Sequence, residues 1–140
     1  WFSFNCGDSG AGGCSPSDYK VKTGFTSTST SASLISSVFD TWATGGAAIN
    51  TIMWQGTQPS GARVKFQIAS SNNLAGPWNY KGPDGSETTY YAPTDTGIPA
   101  QINLAHHNNY RYFRYKIFLY SDSGGTQSPT VTDVIINWSP

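Results

Sequence analysis

Runs of alternating apolar and polar residues constrain the fold of this chain more than any other feature. The clearest is 62-ARVKFQIA-69, in which every second residue from Val64 to Ile68 is apolar. The runs 110–121 and 130–138 alternate in the same way. Successive side chains of a β-strand point to opposite faces, so each run predicts a strand with one core face and one solvent face. No segment shows a sustained helical period.

Further strands are predicted at 34–41 and 49–56, in a short segment with Trp78 and Tyr80, and at 87–91. Glycine and proline residues between these runs predict turns. About eight or nine short strands with no crossover helix predict an all-β fold, an antiparallel two-sheet β-sandwich. A jelly-roll-like topology is the leading interpretation. An immunoglobulin-like sandwich is the alternative, although the chain has no widely spaced Cys…Trp…Cys core.

The N-terminal segment 5-NCGDSGAGGC-14 contains Gly-Asp-Ser-Gly, which surrounds the nucleophilic serine of trypsin-like proteases. That catalytic site needs His, Asp and Ser in this chain order on two barrels, but the chain has only 140 residues and both histidines follow Ser9. The segment therefore predicts a glycine-rich loop closed by a Cys6–Cys14 disulfide. A disulfide in turn predicts an extracellular location.

The domain organisation follows from these segments. Residues 1–33 are predicted to form the disulfide loop and a Ser/Thr-rich segment that packs on, or leads into, a β-sandwich at 34–140. The run 26–33 is predicted to be a solvated loop, with O-glycosylation left open. The chain begins at Trp1, so we expect that a leader or anchor was removed or that the sequence is an excerpt; a preceding membrane helix stays open.

Charge and hydropathy exclude two classes of partner. The chain has 8 basic and 8 acidic residues and a formal net charge of zero. This composition lacks the basic patch that nucleic-acid binding requires, so no nucleic acid is expected. No stretch approaches the roughly 20 apolar residues of a membrane span.

Few residues suggest catalysis or metal binding. His106 and His107 are adjacent, and in an extended segment they point to opposite faces, so they are predicted to be loop-tip residues rather than a metal site. No pair of carboxylates is marked out for glycoside hydrolysis. Asp84, Asp95 and Asp122 could serve a structural calcium, but they lack Asp-x-Asp spacing and turn aspartates usually bind their own backbone. We expect no catalytic residue, no metal and no cofactor.

The aromatic residues give the strongest indication of a binding site. Four tryptophans, Trp42, Trp54, Trp78 and Trp138, could stack on a sugar together with several tyrosines. Trp54 and Trp138 are predicted to be buried, so Trp78 and the loop tyrosines, Tyr80 among them, are the better candidates. One face of the strand at 110–121 combines aromatic and basic residues, which suggests that a neighbouring subunit or an extended ligand packs on it. The residues of this face are Tyr112, Arg114, Lys116, Phe118 and Tyr120.

The strings WQG, VKFQIASSN, GPDG and RYFRYK occur together within 34–140. In this combination the chain resembles the C-terminal β-sandwich of bacterial cell-surface and pilin-like proteins, where the domain often follows a prepilin-type N-terminal helix. It also looks like the jelly-roll modules of secreted glycan-active proteins. The first resemblance implies a non-catalytic domain acting in filament assembly or adhesion, by self-association or through a surface-protein partner. The second implies a carbohydrate-binding module, and a small hydrolase using Ser9 or an aspartate pair is a third hypothesis.

Overall fold

A computed structural model describes residues 31–140, which contain seven β-strands and no helix. The strands are β1 (Ser31–Ile35), β2 (Phe39–Asp40), β3 (Ala48–Thr57), β4 (Arg63–Ser71), β5 (Ala100–Gln101), β6 (Tyr112–Tyr120) and β7 (Thr130–Ser139). The described part of the chain is therefore all-β, as the sequence predicts. Ser9 and the predicted Cys6–Cys14 disulfide lie outside the described residues.

Strand β6 is the centre of the first sheet, which we call sheet 1. Strands β1 and β2 pair with β6 on one side and β4 pairs with it on the other, all antiparallel. Beyond β4, two isolated bridges join Phe66 to Tyr91 and Ile68 to Lys81. These bridges attach the long segment between β4 and β5 to the free edge of the sheet.

Sheet 2 has the order β5-β3-β7 and is also antiparallel. After β2, successive strands alternate between the two sheets, so every later connection crosses from one sheet to the other. This connectivity brings segments that are distant in sequence into contact.

The two sheets share one hydrophobic core, an arrangement consistent with a sandwich. Alternate residues of the strands form this core: Phe66 and Ile68 of β4 are fully buried, as are Ile52 and Trp54 of β3. The ring of Phe66 packs edge-on against Tyr115, with 6.3 Å between ring centroids. Other members of the core are Ile49, Val64, Tyr91, Ile102, Phe113, Ile117 and Val134.

The predicted strand at 34–41 is two strands in the structure. The Ser36 hydroxyl accepts a hydrogen bond from the Tyr115 N–H at 3.0 Å. In a continuous ladder, a backbone carbonyl would accept this hydrogen bond instead. Ser36 stays bonded to Tyr115, since its own N–H donates to the Tyr115 carbonyl at 3.0 Å, but the regular ladder ends there and β2 begins at Phe39. Strand β1 begins at Ser31, inside the run 26–33 that was predicted to be a loop.

The strands predicted around Trp78 and at 87–91 are wrong. The segment makes its hydrogen bonds locally: the Gly82 N–H donates to the Ser86 carbonyl at 2.8 Å, and the Asp84 carboxylate accepts from Ser86 and Thr89. With the backbone satisfied in turns, only the single bridges at Lys81 and Tyr91 remain.

The turn between β2 and β3 fixes the position of Trp42. Trp42 has a left-handed backbone, with φ of 59°, and its N–H donates to Asp40 Oδ1 at 2.8 Å. Gly46, with φ of 87°, closes the turn through a 2.9 Å hydrogen bond to the Ala43 carbonyl. A Cβ at Gly46 would lie 2.3 Å from the carbonyl carbon of Asn109, so only glycine fits there.

Candidate functional site

The outer face of sheet 1 carries the aromatic and basic residues that the sequence places on one side of β6. Phe113, Tyr115 and Ile117 point into the core, so the alternate residues point outward. These outward residues are Tyr112, Arg114, Lys116, Phe118 and Tyr120, and each is half-buried.

Part of what packs on this face comes from the chain itself. The Arg114 guanidinium lies 5.6 Å from the centroid of the Trp78 ring. The Tyr90 ring packs edge-on against Phe118, with 5.0 Å between the ring centroids. Beneath this segment, Gln67 is buried and its amide donates to the carbonyls of Glu87 and Thr89 at 2.8 and 2.9 Å. The segment 77–91 is therefore a partial cover for the outer face rather than a separate sheet edge.

Trp42 lies at the uncovered end of the face. Its side chain is 78% exposed. The Arg111 guanidinium lies 5.6 Å from the Trp42 ring and 5.1 Å from the Tyr112 ring. Two hydrogen bonds of 2.9 Å fix the guanidinium to the Asp40 carboxylate, and this pair lowers the pKa of Asp40 and raises that of Arg111. The cation is thereby held against the exposed indole.

All the cation–aromatic contacts in the described part of the chain lie on this surface, which we call the cation–aromatic face. Its members are Trp42, Lys65, Trp78, Tyr90, Arg111, Tyr112, Arg114, Lys116, Phe118 and Tyr120. The strand register also places Arg63 beside it, opposite Tyr120. The acidic residues at this face are Asp40, which is paired with Arg111, and Asp84 and Glu87 of the cover. The face is thus positive although the whole chain is neutral.

Tyr80 and Trp78, the candidates for sugar stacking, are less accessible than the sequence suggests. The Tyr80 hydroxyl is buried without a partner among the described residues, and burial raises its pKa, while nearby Arg114 lowers it. Trp78 is half-buried beside Arg114. Trp42 is the aromatic ring most open to solvent within residues 31–140, although the sequence-based interpretation, which included it among the possible stacking rings, preferred Trp78 and the loop tyrosines. The available signal was Asp40, two residues earlier, which is typical of an Asx turn.

A second feature is a polar pocket of about 210 Å³ next to the end of β4. The segments 77–81 and 106–110 form its other walls. Its lining residues are Ser70, Ser71, Pro77, Asn79, Lys81, His106, His107 and Tyr110. Sequence reasoning did not predict this site, because its walls come from three separate segments.

His107 is the most buried residue of this pocket, with 1% of its surface exposed, although it was predicted to be a loop-tip residue. Its Nδ1 lies 3.0 Å from Ser70 Oγ, and its Nε2 has no partner among the described residues. Burial lowers the pKa of His107 to about 4, with smaller contributions from the neighbouring His106 and Lys81. The imidazole is therefore neutral at pH 7.

A serine hydroxyl beside a neutral imidazole is two parts of a nucleophilic catalytic site. The third part is a group that orients the base through its other nitrogen. Nε2 of His107 has no such partner within residues 31–140. The Ser70–His107 pair therefore does not by itself support the hydrolase hypothesis.

The aspartates that were considered for calcium bind their own turns. Asp122 accepts hydrogen bonds from the backbone of Thr126 and Gln127, and Asp95 from the backbone of Thr96. Hydrogen bonds from Thr89 and Ser86 lower the pKa of Asp84 to about 2. Residues 31–140 contain no group of three or more His, Cys, Asp or Glu side chains that could hold a metal ion. The same residues include no helix long and apolar enough to cross a membrane.

Comparison with models of known protein families, with curated proteins and with solved structures gave no match. The resemblance to pilin-like and cell-surface proteins therefore stays a prediction, and the functional argument depends on the geometry of the two sites.

Proposed function

We propose that this chain is a non-catalytic, extracellular β-sandwich domain of a pilin-like or cell-surface appendage protein, acting in filament assembly or adhesion through the cation–aromatic face. The observation that carries the proposal is Trp42, which is 78% exposed on a left-handed backbone. Strained backbone conformations cluster at functional sites. Trp, Tyr and Arg dominate the binding energy of protein interfaces, and here Trp42, Tyr112 and Arg111 are adjacent.

The charge distribution supports assembly of copies of this chain. Basic residues gather on the cation–aromatic face, whereas acidic residues also lie on the other sheet: Asp95 in a turn bonded to Trp54 of β3, and Asp133 on β7. A contact between the basic face of one copy and acidic turns of the next is heterologous. When the rotation does not close, such a contact generates an open filament.

The finer architecture is part of the same proposal. We infer a jelly-roll-like sandwich at 34–140, extended at its start by residues 31–33 of β1, because successive strands after β2 alternate between two sheets that share a core. Residues 1–33 carry the Cys6–Cys14 disulfide loop and pack on, or lead into, this sandwich. Alkylation of the unreduced protein followed by mass spectrometry tests the disulfide: two alkylated cysteines would contradict it.

A carbohydrate-binding module is the second candidate function. It is favoured by half-exposed Trp78 and exposed Trp42 along one face, because aromatic rings suit the apolar face of a sugar. The neighbouring Arg111 and Arg114 would then pair with acidic groups on the glycan.

Sedimentation velocity over a range of protein concentrations tests assembly. We expect the wild type to associate, with weaker association at high salt because the contact is charged. Trp42→Ala should remain monomeric, whereas Ile135→Ala, on the opposite outer face, should associate like the wild type. Association of Trp42→Ala at wild-type strength would contradict the proposed surface.

Two further measurements separate adhesion from glycan binding. Immunogold labelling of the source cells checks the surface location, and label confined to the cell interior would overturn it. A glycan array with the wild type, Trp42→Ala and Ile135→Ala tests the second function. Glycan binding by a monomeric wild type, lost only in Trp42→Ala, would replace filament assembly with carbohydrate recognition.

A further inference from the structure

The polar pocket beside β4 is separate from the cation–aromatic face, and its chemistry points to a ligand of its own. We propose that this pocket binds a small ligand through an oxyanion group, a carboxylate, sulfate or phosphate. The inference does not depend on the proposed function, because none of the pocket residues belongs to the cation–aromatic face.

The lining residues are hydrogen-bond donors without an opposing carboxylate. Lys81 contributes an ammonium group, Asn79 an amide, and Ser70, Ser71 and Tyr110 hydroxyl groups. Neither aspartate nor glutamate occurs among the residues that form the walls. Lys81 makes no ion pair within the described residues, where the salt bridge is Arg111–Asp40. An unpaired cation among neutral donors is complementary to an anion.

The pocket is also positive in potential. Lys81 is the cation of the walls, and its charge is among the causes that disfavour protonation of buried His107. His107 itself is nine-tenths buried or more and leaves Nε2 without a partner among the described residues. A buried polar atom without a partner is costly, and binding sites are among the places where native proteins retain one.

The walls are fixed by the fold rather than by mobile side chains. The backbone of Lys81 forms two hydrogen bonds with Ile68, at 2.8 and 3.1 Å. Tyr110 is held by a bridge to Ala47, and Ser70 and Ser71 belong to β4. Such a preformed site loses little entropy when it binds a ligand.

The volume restricts the size of the ligand. At about 210 Å³ the pocket is smaller than the range of roughly 300–1,000 Å³ that is typical for drug-sized ligands. A single sugar acid or an inorganic anion fits this size class.

Isothermal titration calorimetry of the full 140-residue chain tests the proposal. Four probes are titrated at constant ionic strength: sodium glucuronate, sodium sulfate, sodium phosphate and neutral glucose. We expect saturable binding of at least one anion and none of glucose. Tighter binding of glucuronate identifies a sugar acid as the source of the oxyanion, and tighter binding of sulfate or phosphate identifies an inorganic anion. Failure of every anion to saturate the folded wild type would overturn the proposal.

Three variants locate the binding. Lys81→Gln removes the cation and should weaken binding at least tenfold, whereas Lys65→Gln, a matched change on the cation–aromatic face, should have no effect. Asn79→Asp places a negative charge in the pocket and should also weaken binding at least tenfold. Since Asn79 is exposed, this substitution should leave the fold unaffected. Circular dichroism confirms that each variant is folded. Wild-type affinity in folded Lys81→Gln and Asn79→Asp would refute the site. Changes in Trp42 should leave anion binding intact, so failure of this proposal is distinguishable from failure of the proposed function.

Discussion

The Trp42→Gly variant should be almost as stable as the wild type. It should also be more stable than the Trp42→Ala variant. This order is unusual, because glycine normally destabilises a folded chain relative to alanine. It follows from the left-handed backbone at Trp42, with φ of 59°, which glycine adopts without strain and alanine does not.

The magnitude can be worked from three contributions. A left-handed conformation costs a residue with a Cβ roughly 1–2 kcal/mol, and glycine relieves this cost. Both substitutions lose the contact with Arg111, worth about 0.5–1 kcal/mol at an exposed site. Glycine additionally makes the unfolded chain more flexible, which costs about 0.4–1 kcal/mol. These contributions nearly cancel for Trp42→Gly, whereas Trp42→Ala keeps the strain and loses the contact, so the two variants differ by about 1 kcal/mol.

Urea denaturation measures the free energy of unfolding of both variants. In thermal denaturation, a difference of about 1 kcal/mol should appear as a shift of about 4 °C in Tm. Trp78 supplies the matched control because its φ is not positive. There the usual order should hold, with Trp78→Ala more stable than Trp78→Gly. If Trp42→Gly proves less stable than Trp42→Ala, the strained presentation of Trp42 is refuted, and with it the main support for the binding surface.

Three other predictions concern the buried histidine, the turn and the core. The pKa of His107 is lowered to about 4 from 6.5, so the unfolded chain takes up the proton first as the pH falls. The free energy of unfolding should therefore decrease by up to about 3 kcal/mol between pH 6.5 and 4, a slope that urea denaturation should find missing in His107→Gln. Gly46→Ala should destabilise the fold by about 3 kcal/mol, because of the positive φ and the clash with Asn109. Gly45→Ala is the control: open space surrounds this position, so the free energy of unfolding should change by less than about 1 kcal/mol. Equal Tm values for the two variants would contradict the described turn. Phe66→Ala should lower the free energy of unfolding, measured by thermal denaturation, by about 3–5 kcal/mol. Ile135 is exposed, so Ile135→Ala should lower it by only about 1 kcal/mol or less. An equally small effect of Phe66→Ala would show that the two sheets do not share this core.

The strands that the sequence predicted correctly are those whose alternation coincides with burial. Val64, Phe66 and Ile68 face the core, and so do Phe113 and Tyr115 of β6. Period-two patterns report directly on such faces. The all-β class and the common face of the β6 residues were therefore predictable.

The remaining features depend on partners far apart in the sequence. The break between β1 and β2 needs the Ser36 hydroxyl to meet Tyr115, and the burial of His107 places it against Ser70. The segment 87–91 has strand-forming residues, but the distant Gln67 side chain donates to the carbonyls of Glu87 and Thr89. Local composition gives no information on such distant contacts, which is why the pocket was not predicted.

The position of β6 at the centre of sheet 1 has a consequence for the order of folding. Strands β1, β2 and β4 each pair with β6 and not with one another. In a chain that emerges from its N-terminus, these strands have no strand partner in their sheet until Tyr112–Tyr120 appears. Sheet 1 must therefore assemble late, with the earlier strands exposed to aggregation in the meantime.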